Sequence, residues 1–199
     1  MDQTLSIVIF LIVNIVIAAV LAFIFGKTGI LSEDSKKISK WLKYVIGIAA
    51  FGAASVIGTA AGTTFNGVTV NSRDFGPVAG GLWFGAVIGI GAGIIGAAFR
   101  LTTGGVTLIP CTIATLLAGI IAALVYVWFK KSGKQMTVLI SVIVAVIVEI
   151  IHLILTALIA ENGVAIVLGP AGIGTLISSP LIVLIFSVVY RLSAKKSAD

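Results

Sequence analysis

In an otherwise apolar chain, the residue types capable of chemistry are Asn71, Arg73, Arg100, Cys111, Thr115, Glu149 and His152. An arginine presents a planar fork of donors that matches a carboxylate in two parallel hydrogen bonds. Two such forks converging on one cavity would grip a small carboxylate. Asn71, Cys111 and Thr115 would add the few orienting polar contacts of a mostly apolar pocket. An arginine inside a bilayer costs about 2.5–3.5 kcal/mol even on the lenient insertion scale, so it needs a partner or a wet cavity. Arg73 has Asp74 beside it and could pair there or reach lipid headgroups instead. Arg100 has no acidic neighbour in sequence, so its other reading is a headgroup contact at a helix end.

Glu149 and His152 share a helical face with Ser141, Ala145 and Thr156, given steps of four, four, three and four residues. Glu149 falls near the centre of its apolar run, where an ionised carboxylate is costly. It reads either as a protonated or hydrogen-bonded group locking helices together, or as a ligand or proton-coupling site. One histidine and one cysteine make a metal site improbable, and they exclude a disulfide framework. No cofactor is expected.

These residues are positioned by a stretch running from Asn66 to Gly119. Asn71-Ser72-Arg73 opens its centre, Arg100 closes an uncharged run, and Gly104-Gly105 ends it. Within the run Gly81, Gly85, Gly89 and Gly93 recur at every fourth residue, with Ala97 continuing the ridge. On a helix that spacing lines one face, where another backbone can approach closely. Glycine costs a water-exposed helix about 1 kcal/mol per residue, so the run reads as a tightly packed membrane segment. Trp83 and Phe84 beside the ridge read as packing residues.

Composition sets the class. The 199 residues are 59% hydrophobic and only 10% charged, which excludes a water-soluble core. The net charge of +6 sits in short lysine clusters flanking apolar runs, which indicates lipid headgroups and not nucleic acid as the partner. The expectation is an all-α polytopic membrane protein, a bundle of five to six transmembrane helices.

In chain order, Leu5 to Phe25 is long enough to cross roughly 30 Å of hydrocarbon. With acidic Asp2 ahead and no small-residue cleavage site before Gly26, it reads as a retained helix carrying Asn14 near its middle, most simply bonded to a neighbouring helix. Gly26 to Lys43 predicts a short interfacial helix, because Ser35, Lys36, Lys37 and Lys40 alternate with Ile38, Trp41 and Leu42. Tyr44 to Ala61 is a second span whose Ala50, Ala54, Gly58 and Gly62 form another small-residue ridge, predicted to pack on the first. Leu108 to Phe129 and Met136 to Ala160 are further spans. Val164 to Tyr190 is the last, interrupted at Gly169-Pro170 and again at Pro180.

The basic clusters at 27–43, 130–134 and 191–196 should share one side of the membrane. Six full crossings cannot put them there. Either residues 76–99 are re-entrant and five helices cross, or six cross with the Lys36–Lys43 stretch outside. The length of that apolar run favours six.

The series Asn71, Arg73, Arg100, Gly104, Gly105, Cys111, Thr115 and Gly119, followed by Glu149-x-x-His152, resembles the LytS-type five-transmembrane receptor domain over residues 28–192. The resemblance implies a membrane sensor of the kind joined to histidine kinases and diguanylate cyclases. It also implies a small 2-oxo acid such as pyruvate as ligand, and control of cell-wall lysis and carbon uptake through a phosphorelay. Two departures stand out: Ala114 occupies a position where relatives often carry serine, and Asp199 ends the sequence where relatives continue into an output domain. The expected organisation is a first helix at 1–27, the sensor at 28–192 and a short basic tail at 193–199. Such a chain would be a non-enzymatic receptor working through a kinase, another output partner or a homo-oligomer. The competing reading is a substrate-binding subunit similar to the six-helix S components of energy-coupling-factor vitamin importers.

Overall fold

The computed structural model describes residues 3–65 and 68–195. Asp2, Asn66 and Lys196, each part of a sequence expectation, lie outside the described residues. The chain is helical, in the order α1 (Gln3–Thr28), α2 (Lys40–Ala60), α3 (Phe75–Phe84), α4 (Ala86–Leu101), α5 (Leu108–Lys131), α6 (Val138–Ile159), α7 (Gly163–Leu168) and α8 (Pro170–Lys195). Between α2 and α3 a small antiparallel ribbon pairs β1 (Thr63–Phe65) with β2 (Val68–Val70), Thr63 opposite Val70. Five helices, α1, α2, α5, α6 and α8, are long and apolar enough to cross a membrane. Their outer faces carry Ile12, Leu124, Leu139, Ile154 and Leu192, all exposed, as lipid contact requires.

The glycine-rich run is not one helix, which corrects the expectation of a sixth crossing. It breaks at Gly85, whose φ of 117° and ψ of 161° lie in a region open essentially to glycine alone. Beyond the break the chain folds back. A Cβ placed on Gly89 would lie 2.5 Å from the Cα of Gly81 and 3.1 Å from the carbonyl oxygen of Pro77, twelve residues earlier. In a straight helix those twelve residues would span roughly 18 Å. Neighbouring elements give the same sense: Gly47 meets Ile88 and Gly52 meets Ile95, so α2 and α4 run parallel, whereas Gly76 meets Phe51 and Gly58 meets Ser72, so α2 and α3 run antiparallel. Residues 75–101 are therefore a re-entrant hairpin.

The small-residue ridge is split by the turn and serves a different partner from the one expected. Gly89 and Gly93 face α5 at Gly119 and Thr115, while Gly81 faces Ala122. Helix α2 does pack on α4, but by inserting branched side chains into glycine gaps, Ile48 at Gly91 and Ile95 at Gly52.

The hairpin resolves the lysine conflict. With five crossings and one fold-back, the α1–α2 loop, the α5–α6 loop and the end of α8 meet at one end of the bundle. Lys130 bridges Glu33 at 2.5 Å, and Gly26 lies against Ser193. An aromatic cluster of Phe25, Phe51, Phe84, Phe186 and Tyr190 fills the bundle below this end, with Phe51 and Phe84 centroids 5.4 Å apart. Trp83 packs there too and donates its indole N–H to Ser187 at 3.1 Å.

Two local expectations are corrected. Residues 29–39 form turns and not an interfacial helix, because Lys43 Nζ draws the loop around itself by donating to the carbonyls of Ser32, Glu33 and Ser35. The break at Gly169-Pro170 forms, but Pro180 sits inside continuous α8. Membrane helices tolerate such a proline where hydroxyl side chains and neighbouring helices serve the freed backbone, and here Ser178 accompanies it, bonding to Thr175 O and Asn71 O.

Candidate functional site

Residues 71–74, Asn-Ser-Arg-Asp, enter the bundle between β2 and α3 and touch all five crossing helices. Ser72 Oγ donates to Asn14 Oδ1 of α1 at 2.6 Å. Gly58 of α2 packs on the Ser72–Arg73 peptide, where a Cβ would come within 3.0 Å. Asp74 Oδ1 accepts from Thr115 of α5 at 2.7 Å, and its Oδ2 meets His152 Nδ1 of α6 at 3.0 Å. Ser178 of α8 donates to the Asn71 carbonyl at 2.9 Å. A four-residue segment thus ties the five crossing helices together.

Arg73 is fully buried, and none of its three guanidinium nitrogens has a hydrogen-bond partner among the described residues. Asp74 Oδ1 stands 3.9 Å from Nε, an ion pair at the limit of contact without a hydrogen bond, and it already accepts from Thr115. Arg100, at the end of α4, is also buried, but it is tied into the α4–α5 turn through Thr103, the Gly104 carbonyl at 2.6 Å and Thr107 at 3.2 Å. Both guanidinium groups stand within Coulombic reach of each other and of Cys111.

His152 is the centre of a second set of contacts. Its Nδ1 faces Asp74, its Nε2 lies 3.2 Å from Cys111 Sγ, and Glu149 Oε2 is 3.4 Å from Nδ1, at ion-pair distance without hydrogen-bond alignment. The expected face of α6 is buried throughout: Ser141, Ala145, Glu149, His152 and Thr156. Asp74, Glu149 and His152 bring ligand-type atoms within 4.8 Å of one another. Both His152 nitrogens are already engaged within the protein, while Glu149 Oε2 is buried without a hydrogen-bond partner among the described residues.

Asn71, Thr107, Cys111, His152 and Thr156 line a small cavity together with Val68, Ile166 and Ala171. It leaves about 20 Å³ open to the centre of a water molecule, on the scale of one bound water. Arg73 and Arg100 stand behind this lining, and Thr115 is committed to Asp74 and to the Cys111 carbonyl. A larger hollow of about 690 Å³ at the basic end, lined by Lys36, Lys40, Lys43, Tyr126 and Lys130, shares no residue with the polar cluster.

The sequence matches the family described as 5TMR of 5TMR-LYT over residues 29–193. The chain belongs to this five-transmembrane receptor family. Among curated proteins it is similar to the sensor protein LytS of Bacillus anthracis, 33% identical over 106 residues (53% of this chain, 18% of that protein). It is similar to the sensor histidine kinase BtsS of Escherichia coli, 28% identical over 133 residues (65% and 23%). The sensor histidine kinase YpdA of the same organism is 29% identical over 153 residues (76% and 27%). The chain thus spans about a quarter or less of the length of these relatives. No solved structure matches. The receptor is a multi-pass protein of the bacterial inner membrane, and residues 29–193 are a LytS-type membrane sensor domain.

Within this receptor, the sequence-selected residues Asn71, Cys111 and His152 share a cavity wall, while Thr115 and Glu149 support it from behind. The sequence does not single out Asp74 and Ser72, which stand there only as neighbours of Arg73, yet both anchor the segment in the bundle. Asp74 carried a usable signal: it is an acid embedded in an apolar stretch of a chain with only seven acidic residues.

Proposed function

We propose that this receptor domain binds a small carboxylate, a 2-oxo acid such as pyruvate, and passes a helix rearrangement to a kinase output. Arg73 carries the reading. A buried guanidinium without hydrogen-bond partners is costly even with Asp74 3.9 Å away, and an incoming carboxylate would supply the missing acceptors through charge-assisted bonds. Arg100 adds a second positive group, Asn71 and Cys111 supply the orienting polar contacts, and Thr115 acts behind them by holding Asp74. The cavity as it stands has room for about one water, so a 2-oxo acid enters only as the lining opens.

Transmission follows from the position of residues 71–74. Any shift of Arg73 toward an anion pulls on Ser72–Asn14, Asp74–His152 and Asn71–Ser178 together, and so on α1, α6 and α8. The basic end of the bundle faces the cytoplasm in this reading, which directs the end of α8 toward the output. That output is a histidine kinase or other cytoplasmic partner, on this chain or another, or a second copy of the receptor, feeding a phosphorelay linked to cell-wall or carbon-uptake control. Residues 28–192 act as the sensor between α1 and the basic tail, and the segment itself performs no catalytic step. Family membership favours this over a vitamin-importer subunit.

Calorimetric titration of the reconstituted protein tests it, with pyruvate against thiamine and biotin. Saturable pyruvate heat, weakened by Arg73→Lys because lysine lacks the fork, is the expected result. Heat with a vitamin and none with pyruvate would reverse the assignment.

A further inference from the structure

The small-carboxylate reading explains the arginines but leaves a second geometry unused. Cys111 Sγ lies 3.2 Å from His152 Nε2, His152 Nδ1 lies 3.0 Å from Asp74 Oδ2, and Thr115 holds Asp74 from its other oxygen at 2.7 Å. This is a nucleophile, a base within proton-transfer distance, and a third group that orients the base. The parts come from three separate elements: α5, α6 and the start of α3. Thiol and imidazole both line the cavity, and the unpartnered Arg73 guanidinium is buried within Coulombic reach of the sulfur. A thiol that only filled space would have no need of the chain's one histidine committed between it and a carboxylate.

We propose that Cys111 captures the carbonyl carbon of a 2-oxo acid reversibly, as a thiohemiketal, with His152 carrying the proton. This rests on the small-carboxylate reading of the same site. The thiol proton passes to His152 Nε2, and the sulfur electron pair forms the new S–C bond. The carbonyl π pair moves to oxygen, which takes the proton back from His152. Nothing is oxidised or reduced and no group leaves, so release is the same path reversed. Asp74 keeps the ring oriented and balances its transient charge. The arginines recognise the carboxylate, and the cysteine recognises the adjacent carbonyl. Arginines alone would accept lactate or propionate as readily as pyruvate. A covalent step restricts the response to acids with an electrophilic carbon next to the carboxylate.

The test uses the full chain in nanodiscs and pyruvate labelled with carbon-13 at C2. The expected spectrum shows a protein-bound tetrahedral C2 resonance, separate from that of the free hydrate, which Cys111→Ala abolishes. Lactate binds the wild type about tenfold or more weakly than pyruvate, and Cys111→Ala brings the two together. Bound pyruvate whose C2 stays trigonal, with lactate binding equally well, overturns covalent capture and leaves the carboxylate site standing. Failure of every carboxylate to bind overturns both. Should Cys111→Ala not fold, the wild-type spectrum and the lactate comparison still decide.

Discussion

Gly81 and Gly89 meet backbone to backbone, so closely that a Cβ on Gly89 would lie 2.5 Å from the Cα of Gly81. This contact closes the hairpin and turns a run that reads as a sixth crossing into a fold-back. Gly89→Leu should cost about 1–3 kcal/mol or more through overpacking. Gly85→Ala should cost about 1–3 kcal/mol for a different reason, its backbone conformation, since Tyr126 stands at an ordinary 3.6 Å from the added Cβ. Ile94→Leu, on the exposed side of α4, should be silent. Thermal unfolding in detergent reads all three; wild-type stability in the Gly89 variant would remove the hairpin contact from the account.

Glu149 is buried within 3.4 Å of His152, on a helix where an ionised carboxylate is costly. Glu149→Gln keeps a hydrogen-bonding group and should cost less than about 1 kcal/mol. Glu149→Leu sets an apolar branch against the imidazole and should cost about 1–3 kcal/mol. Equal losses in chemical denaturation would mean that the charge itself matters.

The Glu33–Lys130 bridge ties the α1–α2 loop to the end of α5, and the Lys130 hydrogen bond holds the Glu33 carboxyl below its ordinary range. A carboxylate with a lowered folded pKa contributes stability above its unfolded value, about 4.3, and loses it as pH falls through the lower folded value. Both side chains are more than half exposed, so the effect should stay under about 1 kcal/mol. Melting curves of wild type and Lys130→Met should differ at neutral pH and merge below the folded pKa. A gap that survives at acid pH would assign Lys130 another role.

Much of the fold was legible because membrane spans announce themselves by length and apolarity, and the aromatic and lysine borders of α5 fall where the sequence sets them. The fold-back at Gly85 was hidden. An i, i+4 glycine series is equally good at packing one straight helix on another and at packing a helix on its own continuation, and only the positive φ of Gly85 separates the two. The lysine parity pointed to the hairpin, against the length of the apolar run. In the site, the α6 face carrying Glu149 and His152 followed from helical spacing alone. The Asp74–His152–Cys111 line did not, because it joins three elements far apart in sequence. The loop at 29–39 misled for a related reason: its alternation mimics an amphipathic helix, and the side chain that prevents one, Lys43, lies beyond it in α2.

The central claim is that Arg73 is kept buried with its hydrogen bonds unmade to receive an anion. Keeping an ion buried without hydrogen-bond partners carries a desolvation cost of several kcal/mol, which an apolar side chain there does not carry. A ligand at 100 times its dissociation constant adds about 2.7 kcal/mol to the protein that binds it. The measurement is the melting temperature of wild type and Arg73→Met, each with and without saturating pyruvate. Arg73→Met should melt higher than wild type without ligand and show no shift with pyruvate, while wild type shifts upward. A variant that melts lower than wild type and still responds to pyruvate would contradict the account.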